Sequence, residues 1–330
     1  TLLFISLYHS FKCTSFIAID AISRSASKIK ILAKKSGELT DSELSNGIAN
    51  FYDKSSTLWE SIWGEHMHHG YYSSKPKSMD DHKRAQIEMI ERSLEWAGIG
   101  GDFVPLSGVD VGCGIGGSSR FICGKFGTEM KGITLSEVQS KRANQITANQ
   151  NLEDKVSFQV ADALNQPFED NSFDLVWSME SGEHMPHKQK FINELTRVCA
   201  PNGRILIITW CHRDLQQGEE SLSHKEVKLL DAISRAYFLP KWCSVSDYVT
   251  FCENAGLLGI KSADWTEHIG YFWPQVIRTS LTVKGLVGMV RSGKTTLKGA
   301  LAMFLMIRGF SKNLIRFGLI TARKPSVDDK

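Results

Sequence analysis

Four closely spaced glycines after a short apolar strand carry the clearest chemical signal in the sequence. The strand, predicted at 107–111, contains one carboxylate, Asp110, and a helical-looking stretch begins at Ser118. The glycines in between are Gly112, Gly114, Gly116 and Gly117, with Cys113 after the first. Glycine lets backbone and ligand approach closely, and the first N–H groups of a helix have no partner within the helix. The segment therefore predicts a loop that binds a nucleotide-like cofactor.

Two cofactor classes fit this glycine pattern. The GxGxxG spacing matches the dinucleotide fingerprint, which requires an acidic residue at the end of the second strand, about 20 residues further on. That strand, predicted at 130–134, runs into Thr134, Leu135 and Ser136, and Glu137 lies one residue beyond, in the next helix. Asp110 suits a cofactor that carries a charged amino group. The pattern therefore favours S-adenosylmethionine (AdoMet) over a dinucleotide.

Strand and helix patterns alternate through the middle of the chain. Strands are predicted at 107–111, 130–134, 156–161, 173–178 and 204–210, helices at 136–151, 188–199, 225–237 and 245–255, and two late strands at 259–265 and 315–322. Before the first strand the chain reads as helical from 39 to 93, with an amphipathic helix predicted at 80–97. Alternation of this kind predicts a parallel α/β sheet with helices on both faces, whose ligands bind at the carboxyl ends of the strands.

Two more of these strand ends carry polar side chains. Asp162 and Ala163 follow the third strand, where a carboxylate can accept a hydrogen bond from an adenine amino group and a backbone N–H can reach a ring nitrogen. The fourth strand runs into Met179 and Glu180, which predicts a carboxylate at the cofactor edge. Glu180 is the candidate general base.

Glu183 and His184 follow Glu180 closely and are open to two interpretations. Two carboxylates and an imidazole at the cofactor edge could share the proton-transfer chemistry, with His184 as a second catalytic candidate. Alternatively, Ser181 or Glu183 caps a helix and His184 packs in the core.

The segment His66–His69 contains three histidines but does not predict a metal site. No carboxylate or cysteine accompanies the imidazoles at metal-site spacing, and tyrosine, tryptophan and methionine side chains surround them in the sequence. Aromatic faces attract cations. The segment is therefore interpreted as a lid over a sulfonium cofactor.

Charge and cysteine usage restrict the class of protein. The chain has a net charge of +3, and residues 1–37 alone contribute +5 of it, so the remainder is close to neutral and predicts no nucleic-acid partner. Residues 1–37 join an apolar run to a Ser- and Lys-rich stretch, a composition typical of a targeting leader, here similar to two-part plastid leaders of some algae; a frayed amphipathic helix is the alternative. The seven cysteines have no CxxC spacing and predict buried thiols.

The stretch between His268 and Val327 contains ten basic residues and no acidic one. Residues 272–312 are predicted to be a mostly helical insertion between the two late strands, a natural substrate cover. Basic and apolar residues at helical spacing in 278–324 predict contact with anionic lipid or a pocket for a lipid-like substrate; a core-packed helix pair is the alternative. Residues 288–295 match the GxxxxGK[ST] phosphate loop, but that loop needs a later strand ending in a Mg²⁺-binding Asp, and no acidic residue lies between His268 and Val327. The pattern therefore argues against a nucleotide triphosphatase.

Several uncommon strings resemble the γ-tocopherol methyltransferases of plants and algae. They lie at 48–53, 58–71, 132–139, 177–186, 209–213, 239–243 and 284–325, so that the resemblance covers about residues 47–325. One departure is His187, where the family usually has an acid.

The resemblance implies a class I methyltransferase fold: a Rossmann-like three-layer sandwich with a seven-stranded mixed sheet whose last strand is antiparallel. A helical lid at 38–101 would precede an AdoMet-binding core at 102–213, and a substrate cap would complete the fold at 214–330. The implied donor is AdoMet, leaving S-adenosylhomocysteine, and the implied acceptor is a prenylated chromanol, methylated on a ring carbon to convert γ- into α-tocopherol and δ- into β-tocopherol in the plastid.

The family also implies roles for individual residues. The loop from Asp110 to Gly117 would hold the methionyl end of AdoMet, with Tyr52 and His69 closing over it. The donor ribose would be held by Thr134, Leu135 and Gln139, its adenine by Asp162 and Ala163, and Met179 is counted among the donor-contacting residues. Relatives with the same whole-chain pattern methylate alkaloid nitrogens, so an amine N-methyltransferase is the second hypothesis, and a non-catalytic carrier of a prenyl lipid is the third.

Overall fold

A seven-stranded sheet forms the centre of the molecule in the computed structural model, which describes residues 40–272 and 303–329. Its strand order is β3-β2-β1-β4-β5-β7-β6. Strands β1 to β5 pair in parallel, β7 runs antiparallel to β5, and β6 runs antiparallel to β7. The strands are β1 Ser107–Val111, β2 Glu129–Thr134, β3 Val156–Val160, β4 Phe173–Met179, β5 Cys199–His212, β6 Leu258–Asp264 and β7 Ile315–Arg323.

Helices cover both faces of this sheet. They are α1 Asp41–Trp63, α2 Met79–Trp96, α3 Gly117–Phe126, α4 Glu137–Asn149, α5 Lys188–Val198, α6 His224–Tyr237, α7 Val245–Asn254 and α8 at 303–311. Alternate residues of β4 enter two separate apolar layers: Leu175 and Trp177 pack on one face, and Val176 packs on the other. The predicted three-layer α/β sandwich with a mixed sheet is confirmed.

The predicted elements correspond closely to the observed ones, with two informative differences. The prediction that 39–93 is helical is wrong for residues 64–78. Gly64, at φ +86°, ends α1, and the next helix begins only after its N-cap residue, Ser78. Strand β5 begins at Cys199, five residues before the predicted start. The residues before that start belong to the strand even though Asn202 adopts φ +64°, because the pairing with β4 shifts register between Phe173 and Leu175.

Some sequence-based expectations lie outside the described residues. These are the leader at 1–37, the phosphate-loop match at 288–295 and most of the basic segment 278–324. Within the described part of that segment, residues 303–311 are helical, as predicted. No helix in the described ranges is long and apolar enough to cross a membrane. The proposed boundaries between lid, core and cap stay a prediction.

Candidate functional site

A single pocket lies at the carboxyl ends of β1 to β4 and brings together most of the predicted site residues. Those that line it are Tyr52, Asp110, Gly112, Cys113, Gly114, Gly117, Thr134, Leu135, Gln139, Asp162, Ala163, Met179, Glu180 and His184. Two predicted residues are not among the lining residues. Gly116 packs against Phe158, and His69 contacts the carboxylate of Glu180. Residues from α1 and from the 64–78 segment line the pocket opposite the sheet.

The glycines of the loop serve different purposes. Gly112, Gly114 and Gly116 all have positive φ angles, between +54° and +87°, which residues other than glycine rarely adopt. A Cβ atom on Gly116 would lie 2.2 Å from Cζ of Phe158, so this glycine is needed for packing. A Cβ atom on Gly114 would meet nothing nearer than the Met67 sulfur at 4.0 Å. Gly114 therefore presents bare backbone to the pocket, as close approach of a ligand requires.

Asp110 is a buried carboxylate at the end of β1. Ser119 Oγ, in the first turn of α3, donates a 2.7 Å hydrogen bond to its Oδ2 atom. Burial raises the pKa of Asp110 to about 7, although the Ser119 bond and the Arg120 charge act in the opposite direction. A cationic ligand group beside this carboxylate would offset the cost of its ionisation, which fits an amino group of a bound donor.

The end of β2 is organised by the N-cap of α4. Ser136 Oγ accepts a hydrogen bond from the backbone N–H of Gln139, and Thr134 Oγ1 donates to Gln139 Oε1 at 2.8 Å. The side-chain amide of Gln139 donates to Ser56 on α1 at 3.1 Å. Glu137 points into solvent, where it pairs with Lys141. The acidic ribose ligand that a dinucleotide site requires is therefore not supplied by Glu137.

Asp162 and Ala163 close the pocket at the end of β3. Asp162 Oδ1 accepts a 2.9 Å hydrogen bond from the backbone N–H of Leu164, which fixes the carboxylate across the short turn. Both residues line the pocket, as the adenine assignment requires.

The segment after α1 lies directly on the glycine loop. A Cβ atom on Gly117 would be 2.4 Å from the carbonyl oxygen of Glu65 and 2.7 Å from Nδ1 of His66. Burial, with smaller contributions from His68 and Arg120, lowers the pKa of His66 to about 3, so this imidazole is uncharged. Residues 64–78, the predicted lid segment, thus contact the loop, which explains why position 117 requires glycine. The role of this segment as a lid stays a prediction.

Helix α1, which precedes the lid segment, makes polar contacts with the start and middle of α4. Ser136 donates to Asp53, and the guanidinium of Arg142 binds the carboxylate of Glu60 with Nε at 2.9 Å from Oε2. Tyr52, on the same helix, places its hydroxyl 3.1 Å from Nε2 of His184. Burial raises the pKa of Tyr52, so its hydroxyl stays protonated.

Glu180 is the most constrained residue of the site. Its backbone adopts φ +52°, a left-handed conformation that costs a non-glycine residue about 1–3 kcal/mol. Its carboxylate accepts hydrogen bonds from the backbone N–H and Nδ1 of His69 and from Nε1 of Trp210. Burial works to raise the pKa of Glu180, but the His69 charge and hydrogen bonds, with the His68 charge, lower it below its usual value. Glu180 is therefore ionised at neutral pH.

Glu183 and His184 form a short 3₁₀-helix with Gly182 after β4. Burial and the nearby charge of Glu180 raise the pKa of Glu183 to about 8, and this carboxyl is bound to Thr209 Oγ1 at 2.8 Å. Burial and the Lys188 charge lower the pKa of His184 to about 4. The capping interpretation is wrong for Ser181, which makes no capping hydrogen bond and donates instead to the carbonyl of Val111.

Sequence reasoning missed two partners of the acidic residues. Trp210 lies near the carboxyl end of β5, beside β4, so the topology alone could have pointed to it. Ser119 carries no comparable signal, because its contact with Asp110 depends on how α3 follows the loop. In the described part of the chain, no group of three or more His, Cys, Asp or Glu side chains could hold a metal ion.

Comparison with known proteins decides the family. A methyltransferase domain family matches residues 109–207. The chain is 58% identical to the tocopherol O-methyltransferase, chloroplastic, of Arabidopsis thaliana, over 86% of this chain and 83% of that protein. A probable tocopherol O-methyltransferase, chloroplastic, of Oryza sativa subsp. japonica is also 58% identical, over 86% and 79%. The chain belongs to the tocopherol O-methyltransferase family. It is an AdoMet-dependent methyltransferase, as the sequence predicted.

Two further comparisons place this family member more broadly. Norajmaline N-methyltransferase of Rauvolfia serpentina is 36% identical, over 86% of this chain and 99% of that protein. A crystal structure of geranyl diphosphate C-methyltransferase from Streptomyces coelicolor A3(2), in complex with Mg²⁺, geranyl diphosphate and S-adenosyl-L-homocysteine, superposes with a TM-score of 0.67 at 20% identity, over 85% of this chain and 98% of that chain. At this identity the superposition shows a shared fold, the class I methyltransferase fold.

Proposed function

We propose that this enzyme methylates the aromatic ring of γ-tocopherol to give α-tocopherol, and that of δ-tocopherol to give β-tocopherol, with AdoMet as donor. The observation that carries the proposal is that the glycine loop and the ionised Glu180 line one pocket, in a chain 58% identical to proteins named for tocopherol methylation. The word chloroplastic in both relatives' names agrees with the plastid leader expected at 1–37, and we propose a plastid location.

The pocket has the groups that AdoMet would need. Asp110 offers a carboxylate to the methionyl amino group, and Gly114 offers unobstructed backbone beside it. Thr134, Leu135 and Gln139, which also line the pocket, would hold the ribose, and Asp162 would hold the adenine. When bound, the donor supplies an electrophilic methyl group on a sulfonium sulfur.

The chain's own residues prepare the acceptor. Glu180 accepts a hydrogen bond from the phenol O–H and thereby increases electron density at the neighbouring ring carbon, which is the nucleophile. The proton that the new methyl group replaces on this carbon is then taken up by the Glu180 carboxylate. His184 is the second candidate for this contact, since it lines the same pocket and is neutral at physiological pH. Tyr52 on α1 and Met67 in the lid segment face the sheet across the pocket and exclude water from the reacting groups. Positioning and exclusion of water then account for much of the rate.

Incubation of the protein with methyl-labelled AdoMet and each of the four tocopherols tests this proposal. We expect label in α-tocopherol from the γ form and in β-tocopherol from the δ form, with the new methyl group on a ring carbon by NMR. A methyl ether would contradict ring methylation. The relation to norajmaline N-methyltransferase supports amine N-methylation as the second candidate. Label in an indole-alkaloid panel and none in tocopherols would favour it.

A further inference from the structure

Both carboxylate oxygens of Glu180 are bound by one residue of the lid, His69. Oε1 accepts the backbone N–H of His69 at 2.6 Å, and Oε2 lies 2.7 Å from its Nδ1 atom. Trp210 adds a longer bond, 3.2 Å from Nε1 to Oε2. Because a carboxylate only accepts hydrogen bonds when ionised, Nδ1 of His69 carries the hydrogen in this contact. The two bonds from His69 leave the Glu180 side chain one orientation.

His69 is itself held firmly. Its carbonyl oxygen lies 2.9 Å from Nδ1 of His68, and the side-chain amide of Gln86, on α2, donates to the carbonyls of His66 and His68. His69 is 4% exposed, and its imidazole contacts the ring of Trp210 edge-on, with 4.6 Å between the ring centroids. The lid segment is thus anchored to α2 on one side and presents His69 to Glu180 on the other.

We propose that His69 is a positioning residue that acts through Glu180, fixing both oxygens of this carboxylate in the orientation that receives the acceptor. The inference rests on the proposed function of Glu180 and differs from the role over the donor that the family resemblance implies for His69. Two observations separate the roles: His69 is absent from the lining of the donor pocket, and the left-handed backbone of Glu180 aims its side chain at this residue.

The charge balance around Glu180 determines what loss of His69 would do. The titratable groups that face Glu180 are His68 and His69 from the lid segment, Tyr52 from α1, and Glu183 and His184 from the short helix after β4. His69 and His68 stabilise the ionised form, and burial opposes it. Without the imidazole of His69, burial is less opposed and the pKa of Glu180 rises.

Two substitutions at position 69 separate orientation from bulk. His69→Asn retains a side-chain N–H close to the position of Nδ1, and His69→Leu removes it, while the backbone N–H remains in both. We expect His69→Leu to raise the pH at which Glu180 titrates by about one unit or more, the scale of losing an adjacent hydrogen-bonded partner. Carboxyl ¹³C NMR of labelled glutamate measures this directly, with the Glu180 signal assigned by its loss in Glu180→Gln. His69→Asn keeps the hydrogen bond but not the charge of His69, so Glu180 in this variant should titrate between the wild type and His69→Leu.

Activity and donor binding complete the test. In His69→Leu the acid limb of the kcat/KM profile should move to higher pH by the same amount, and the Kd for S-adenosylhomocysteine should change by less than about twofold. Trp210→Phe keeps an aromatic ring and removes only the weaker hydrogen bond to Glu180. It should therefore move the acid limb of the kcat/KM profile to higher pH by a smaller amount. This variant carries the test if His69→Leu does not fold.

Two results would overturn the assignment. One is an unchanged titration of Glu180 in both His69→Leu and Trp210→Phe; the other is a loss of S-adenosylhomocysteine affinity of about tenfold or more in His69→Leu at every pH, which would return His69 to the donor site. Failure of the wild type to methylate any tocopherol would refute the proposed function instead, and the NMR titration would still decide the role of His69.

Discussion

Replacement of Asp110 by Asn should stabilise the ligand-free enzyme at neutral pH while weakening donor binding. Asp110 is 2% exposed, and burial raises its pKa from 3.8 to about 7. Because the pKa of Asp110 is higher in the folded state than in the unfolded state, the folded state binds the proton more tightly. The stabilisation that this proton contributes is therefore complete below pH 4 and is lost as the pH rises through 7. A difference of about 3 pH units corresponds to about 4 kcal/mol at 1.36 kcal/mol per unit.

Asparagine at this position is nearly isosteric and can still accept the hydrogen bond from Ser119, but it never ionises. The wild type should therefore lose up to about 4 kcal/mol of unfolding free energy between pH 4 and pH 8 that Asp110→Asn retains. The gain of the variant should be largest at pH 8 and close to zero at pH 4. Urea unfolding of both proteins without ligand, across this pH range, measures the difference.

Donor binding should change in the opposite direction. The ionised carboxylate of Asp110 is what the methionyl amino group would pair with, so Asp110→Asn should weaken S-adenosylhomocysteine binding by about tenfold or more by calorimetry, the scale of losing one charged hydrogen-bond partner. Equal pH dependence of stability in the two proteins would refute the burial argument. Unchanged affinity would remove Asp110 from the donor site.

Three other predictions follow from the same site and from the basic segment. Glu180→Gln should lower turnover about 100-fold or more, the scale of general-base catalysis, with S-adenosylhomocysteine affinity nearly unchanged; unchanged turnover in the labelled-donor assay would exclude Glu180 from the mechanism. Gly116→Ala and Gly114→Ala both strain a backbone with positive φ, but only at position 116 would the Cβ atom also meet Phe158, so Gly116→Ala should lower the melting temperature more; Gly114→Ala should also weaken ligand binding, and equal thermal shifts would contradict the distinction. Neutralising three basic residues of 278–324 should reduce flotation with anionic vesicles, and no change would favour core packing. These three residues are Arg291, Lys294 and Lys298.

The chemistry of the donor site could be predicted from the sequence because its determinants are local. The glycines and Asp110 belong to one strand-loop-helix unit, and the positive φ angles of Gly112, Gly114 and Gly116 are ones that glycine adopts readily. Thr134 and Asp162 could be placed beside them because parallel strands end at one edge of a sheet, whereas Gln139 was implied only by the family resemblance. Family membership, confirmed by 58% identity, was carried by uncommon strings that spacing alone does not explain.

Protonation states and long-range partners were decided only by the tertiary structure. From the sequence, Glu180 was favoured for its place at the strand end, and Glu183 and His184 were open to a catalytic or a structural interpretation. In the fold, Glu180 is held ionised by donors 111 residues earlier and 30 residues later, whereas burial beside that charge keeps Glu183 protonated up to about pH 8. Burial and pairing arise between segments distant in sequence, and periodicity reports neither. The sequence by itself thus determined that one edge of the sheet binds a cofactor and which residue types meet there. Packing between distant segments decided which carboxylate is charged and how its side chain is oriented.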